Sequence, residues 1–133
     1  MLSSVPDSDT YIVADLEAGI GTLTRLPDSS VDATLVIVEP TPRSIDVGQR
    51  AVAVASERGQ GQIIIVANKV DNAEDDARIR SAFDQHDLAT VPADPVVTTA
   101  DRQGMSPIDV HPKAPAVTAI GDIATLVSSL DES

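Results

Sequence analysis

Cysteine is absent, which excludes disulfides, thiolate metal sites and a cysteine nucleophile together. Aromatic side chains are nearly absent as well. Tyr11 and Phe83 are the only two, so the chain lacks the stacking platforms on which single-stranded nucleic acid is read. Basic residues are scarce: 9 lysines and arginines stand against 21 aspartates and glutamates, giving a formal net charge of -12. A surface of that sign repels a phosphate backbone and anionic lipid alike, so neither nucleic acid nor a membrane is an expected partner. No apolar run approaches the roughly 20 residues needed to cross a bilayer. Residues 1–10 carry neither the basic start nor the apolar centre of a secretory signal. A cytoplasmic location is the default expectation.

What is present suits one globular unit. A chain of 133 residues with 42% hydrophobic content can build one core, and a single domain over 1–133 is expected. Three runs are almost continuously apolar and rich in β-branched residues, at 11–14, 33–38 and 63–67. None alternates with polar residues, the pattern of strands buried on both faces of a parallel sheet. A fourth, shorter strand is expected over 88–91. Helical spacing follows the second run, with Ile45, Gly48, Val52 and Ala55 on one face, Thr41 or Ser44 as the cap, Pro42 in the first turn and Gly59 and Gly61 as the stop. A second helix is expected over about 74–85, burying Ile79, Ala82 and Phe83. A third runs from about 115 to 130 with Val117, Ile120, Ile123, Ala124, Val127 and Leu130 facing inward. The stretch 94–113, with Pro95, Gly104, Pro107 and Pro112, reads as a loop with at most a short strand at 96–98. The fold class is therefore α/β: a three-layer, mostly parallel sheet with flanking helices and right-handed crossovers.

Each apolar run ends in a polar residue: Asp15, Glu39, Asn68 and, shortly after the fourth, Asp94. Ligands of open α/β sheets bind beyond the carboxyl ends of the strands, so these side chains would converge on one edge. Polar residues also follow strands simply because strands exit into solvent. Asp15 with Gly19 is spaced as in a Walker B and switch II element, where the aspartate holds the water shell of Mg²⁺ and the glycine lets a backbone N–H approach a γ-phosphate. Asn68-Lys69-Val70-Asp71 has donors and acceptors suited to the edge of a purine, with a lysine stem able to pack on the ring. Pro92 and Asp94 could line the same base pocket.

The string Asp15-Leu16-Glu17-Ala18-Gly19-Ile20, then Val38-Glu39-Pro40 with Ser44, then Asn68-Lys69-Val70 and Pro92-x-Asp94, resembles the second half of CooC-like ATPases, relatives of MinD and ParA with a deviant Walker motif. The likeness runs from about residue 11 to 130. It implies a P-loop ATPase domain, here without its N-terminal strand, Walker A loop and helix. ATP and Mg²⁺ are the implied cofactors, with Asp15 associated with Mg²⁺ through water and Gly19 sensing the γ-phosphate. Asn68 would contact adenine, and Pro92 and Asp94 would form the far wall of the base pocket.

This chain departs from that pattern in one large respect. No G-x-x-x-x-G-K-[ST] occurs, and the two lysines, Lys69 and Lys113, follow no glycine loop. The phosphate grip supplies most of the electrostatic stabilisation in phosphoryl transfer, so weak or absent nucleotide binding and no turnover are expected of this chain alone. The Cys-x-Cys pair of the nickel-handling relatives is missing, and nickel binding does not carry over. The G-x-G near Gly19 and Gly21 lacks its third glycine, which argues against a dinucleotide fingerprint. His86 and His111 lie far apart and read as surface residues. No G-x-S-x-G is present. A receiver domain fails for want of paired acidic residues before a phospho-acceptor strand. Two expectations remain: a split or truncated ATPase domain that works only with a complementary Walker A-bearing segment, and a nucleotide-free interaction module that keeps the same scaffold as a surface for a partner protein; a homo-oligomer is possible as well. Either would have to manage the apolar sheet edge that a missing strand leaves open.

Overall fold

The computed structural model describes residues 11–15, 31–59 and 61–130. Its centre is a parallel sheet of three strands in the order β1-β2-β3, with β1 at Ala33–Val38, β2 at Gln62–Val70 and β3 at Asp87–Pro92. The apolar runs at 33–38 and 63–67 and the expected strand at 88–91 all form, each within a residue or a few of the expected ends. β2 is central, and Ile64 and Ile65 on its opposite faces are fully buried. Burial of such a side chain contributes about 2 kcal/mol.

Helix α1 (Pro42–Glu57) follows β1. Thr41 caps it by accepting from the Ser44 N–H at 3.2 Å, and Pro42 occupies the first turn, where its missing N–H costs nothing. Gly48 lets the helix lie close to the sheet, since a Cβ there would stand 2.7 Å from Val38 Cγ2 and 3.1 Å from Phe83 Cζ. Helix α2 (Ala73–Ala82) is capped by Asn72, and Glu74, Asp75 and Asp76 set negative charge against the positive end of its dipole. Both helices cover one face, where Val36, Val38, Ile65, Ala67, Ile79 and Phe83 form the larger core.

The other face is covered by the last helix, α5 (Pro115–Ser129). Its inward stripe is Ala116 and Ile123, which are buried, with the partly buried Ala119 and Val127, packed on Val66, Ala89 and Val91. The expected face was rotated from this one: Ile120 is 56% exposed and Ala124 is also exposed. Two small alanines, rather than the larger isoleucine, let the helix sit close to β3.

Two further expectations are corrected. The stretch 94–113 is not a loop with a strand but holds helix α3 (Pro95–Arg102) and the one-turn helix α4 (Pro107–Val110). Pro95 and Pro107, which suggested irregularity, stand at helix starts, Pro112 lies in the turn before α5, and Gly104, at φ 66, follows the end of α3. Residues 11–14 form no strand. Tyr11 and Val13 are 62% and 91% exposed. A strand needs a ladder partner, and among the described residues β1 pairs only with β2. Among the described residues, no helix is long and apolar enough to cross a membrane.

Candidate functional site at the carboxyl ends of the strands

Parallel strands bring their carboxyl ends to one edge of the sheet. Glu39 leaves β1, Asn68 and Lys69 lie near the end of β2, and Pro92 ends β3 with Asp94 two residues beyond. β2 runs on past Asn68 through an irregularity between Ala67 and Val70, so the asparagine lies within the strand rather than after it. Asn68 is half-buried. Lys69 takes φ 58, a left-handed conformation that costs a non-glycine residue about 1 kcal/mol. Its ammonium stands 3.4 Å from Glu39 Oε1, joining the ends of β1 and β2. Both side chains are about half exposed, so the pair contributes little to stability. Glu39 is also fixed by its backbone, whose N–H donates to Ser44 Oγ at 2.8 Å.

Asp94 is the most engaged of these residues. One carboxylate oxygen accepts from the Val96 N–H at 2.9 Å, capping α3, and the other accepts from the Ala116 N–H at 3.0 Å in the first turn of α5. One carboxylate thus serves the starts of two helices, where backbone donors lack partners within the helix. The Ala116 N–H first, and the Val96 N–H second, hold its pKa below the ordinary aspartate value. A depressed carboxyl stabilises the fold above its unfolded pKa and loses that contribution as pH falls through the folded pKa. Asp94→Ala is accordingly expected to unfold at lower temperature than the parent near neutral pH. The gap should narrow steadily on acidification below about pH 4; a gap independent of pH in thermal melts would show that the charge carries none of it.

A second polar cluster, on the flank of the sheet, was not singled out in the sequence. Asp76 receives Arg80 Nε at 2.7 Å and the Thr90 hydroxyl at 2.8 Å, tying α2 to β3. Arg80 first and Thr90 second hold the Asp76 pKa below its usual value. The i, i+4 spacing of Asp76 and Arg80 was a visible signal; the third member, on another element, was not.

The expected site residues are therefore distributed unevenly. Asn68, Pro92 and Asp94 sit at neighbouring ends of β2 and β3. Asp15 lies on the exposed stretch before the sheet, outside any strand, and Gly19 lies outside the described residues. Among the described residues, no group of three or more histidines, aspartates or glutamates is placed to hold a metal ion.

Three parallel strands, crossover helices α1 and α2 on one face, α5 on the other and a polar carboxyl edge are the arrangement expected of part of a P-loop nucleotide-hydrolase fold. Comparison with known proteins carries this further. An ATP-binding protein of Methanocaldococcus jannaschii is 28% identical over 127 residues, covering 93% of this chain and 48% of that protein. The carbon monoxide dehydrogenase accessory protein CooC of Rhodospirillum rubrum is 31% identical over 102 residues, covering 76% of this chain and 39% of its own length. The solved structure of the cell division protein MinD from Aquifex aeolicus superposes with a TM-score of 0.63 at 22% identity, over 76% of this chain and 45% of MinD. No protein-family model matches. The chain spans about half the length, or less, of the curated relatives it matches. It is related to the C-terminal part of a CooC-like, MinD-type P-loop ATPase domain.

Proposed function

We propose that this chain forms the base-side and Mg²⁺-side portion of an ATPase site whose phosphate grip comes from a complementary polypeptide. The observation that carries this is the uneven edge of the sheet. Asn68 and Pro92 lie together at adjoining strand ends, where an amide and a rigid proline suit the edge and face of a purine. The described residues do not fit a triphosphate with its metal. Asp15 stands off the sheet, both oxygens of Asp94 are held by backbone donors, and Lys69 lies against Glu39. A polyanion brought to this edge would meet the carboxylates of Glu39 and Asp94. In the completed site, Mg²⁺ would neutralise phosphate charge, and Asp15 with Gly19 would serve the metal side.

A second function is favoured by one observation. The two helix starts that Asp94 satisfies make it a structural staple whether or not nucleotide ever binds. The same scaffold would then act as a nucleotide-free surface for a partner protein.

Titration calorimetry separates the two. With this chain alone, ATP and Mg²⁺ should give no heat of binding in the micromolar range. With a polypeptide bearing a glycine-rich, lysine-containing phosphate loop of the MinD type, binding should appear. Micromolar affinity for the isolated chain would sink the split-site proposal, and silence in both arms would leave the interaction module.

A further inference from the structure

The outer side of β3 meets a cleft instead of another strand. Among the described residues β3 pairs with β2 alone. Helix α5 lies on the face of β2 and β3, through Val66, Ala89 and Val91, and leaves the β3 edge unpaired. Thr34 of β1, at the opposite edge, is already engaged. Between β3 and α5 lies a cleft of about 240 Å³, lined by Ala89 and Thr90 of the strand and by Ala119, Asp122, Ile123 and Leu126 of the helix. These four helix residues follow the i, i+3, i+4, i+7 spacing of one flank. An unpaired strand edge is a template for a further strand, whose main-chain hydrogen bonds supply affinity and whose alternate side chains enter neighbouring pockets.

The chemistry of the cleft chooses the occupant. Its volume is below the roughly 300–1,000 Å³ of sites that enclose a small molecule, and it suits a single long side chain. The walls are apolar: Ile123 is buried and Leu126 is 37% exposed. The one charge is Asp122, the only charged residue of α5, which is exposed and has no ion-pair partner among the described residues. A lysine or arginine side chain matches both features, laying its aliphatic stem along Leu126 and Ala119 and bringing its charge to the carboxylate. A second copy of this chain does not. β3 carries no basic residue, and two copies paired antiparallel through β3 would set both α5 helices on the same face with their Asp122 carboxylates turned toward one another. Each copy also carries a net charge of -12.

We propose that β3 and the cleft beside it bind an extended, basic segment of a different polypeptide, which adds to the sheet as a further strand and places a lysine or arginine in the cleft with its charge at Asp122. This surface flanks the sheet and does not close its carboxyl edge, so it stands independently of any nucleotide.

Three end-capped peptides test it against the full chain, read by amide shifts and hydrogen exchange. All alternate valine and threonine around a central residue: arginine in the first, glutamate in the second, and arginine again in the third, where prolines replace two valines so that charge is kept and strand pairing is lost. The arginine peptide should bind at least about tenfold more tightly than either control at low ionic strength, slow exchange across β3, and lose most of its advantage over the glutamate peptide toward 1 M salt. Asp122→Asn should remove most of that advantage with little change in melting temperature, because Asp122 is exposed. Leu126→Lys should weaken the arginine peptide about tenfold, since its own ammonium would stand one turn from Asp122 and occupy the same cleft. Equal binding of the arginine and proline peptides would reduce the effect to attraction by a chain of net charge -12 and overturn the proposal. So would shifts mapping to β1, no binding by any of the three, or a concentration-dependent dimer that protects β3, the last by making a second copy the occupant.

Discussion

ATP hydrolysis by this chain mixed with a phosphate-loop polypeptide is expected to fall on the order of 100-fold or more when Asp15 is replaced by asparagine, the scale seen when one preorganised charge-stabilising group is removed. The expectation follows from the proposed division of labour. If the complementary chain supplies lysine and backbone donors, the metal side is left to Asp15, and the amide of asparagine cannot offer the same charge to a Mg²⁺ water shell. Asp15 is exposed and outside the sheet, so its loss should leave the melting temperature of the isolated chain unchanged. The rate of the mixture is read beside that melt. An undiminished rate would remove Asp15 from the site, and a lowered melt would assign it a structural part that the geometry does not show.

The fold was legible in the sequence where the hydrophobic pattern was unambiguous. β1 and the centre of β2 are runs of β-branched residues without alternation; β2 is buried on both faces as that pattern implies, whereas β1 buries Val36 and Val38 and leaves Leu35 and Ile37 exposed. Helix α1 was readable because Thr41, Pro42 and Gly59 mark its ends. The stretch 94–113 was misread because proline signals irregularity and helix starts equally. Asp94 followed at once by Pro95 is a cap and first-turn pair, and that local chemistry should have outweighed the count of prolines. The face of α5 was misjudged because the apolar spacing of this alanine-rich helix offers more than one face; alanine wins at a close approach and Ile120 is left outside. Residues 11–14 have the composition of a strand, but composition states a capacity and the ladder partner decides whether it is used. For the site, residue types at strand ends could be read directly. That both oxygens of Asp94 are committed to Val96 and Ala116 could not be, because the second donor is 22 positions away.

Gly61→Ala is expected to cost about 3 kcal/mol or more, a large share of the stability of a small domain. Two effects combine there. Gly61 has φ 72, in the left-handed region, where a Cβ costs roughly 1 kcal/mol. That Cβ would also stand 2.3 Å from the Asp32 carbonyl oxygen and 2.4 Å from its carbon, both backbone atoms that no rotamer change can move aside. The close approach has a purpose in the sheet: the Gln62 N–H donates to the Asp32 carbonyl at 3.0 Å, next to the first pair of the β1–β2 register, Ala33 with Gln62. Pushing these segments apart disturbs the pairing that buries Ile64 and Ile65. Gly59 is the internal control, with φ 62 but nothing within 4 Å of a built Cβ. Gly59→Ala should lose only the conformational part, about 1 kcal/mol. Denaturant melts of the two variants measure the difference directly. Equal losses would mean that the sheet yields to the added methyl, and that the contact with Asp32 does not set the register of β1 on β2.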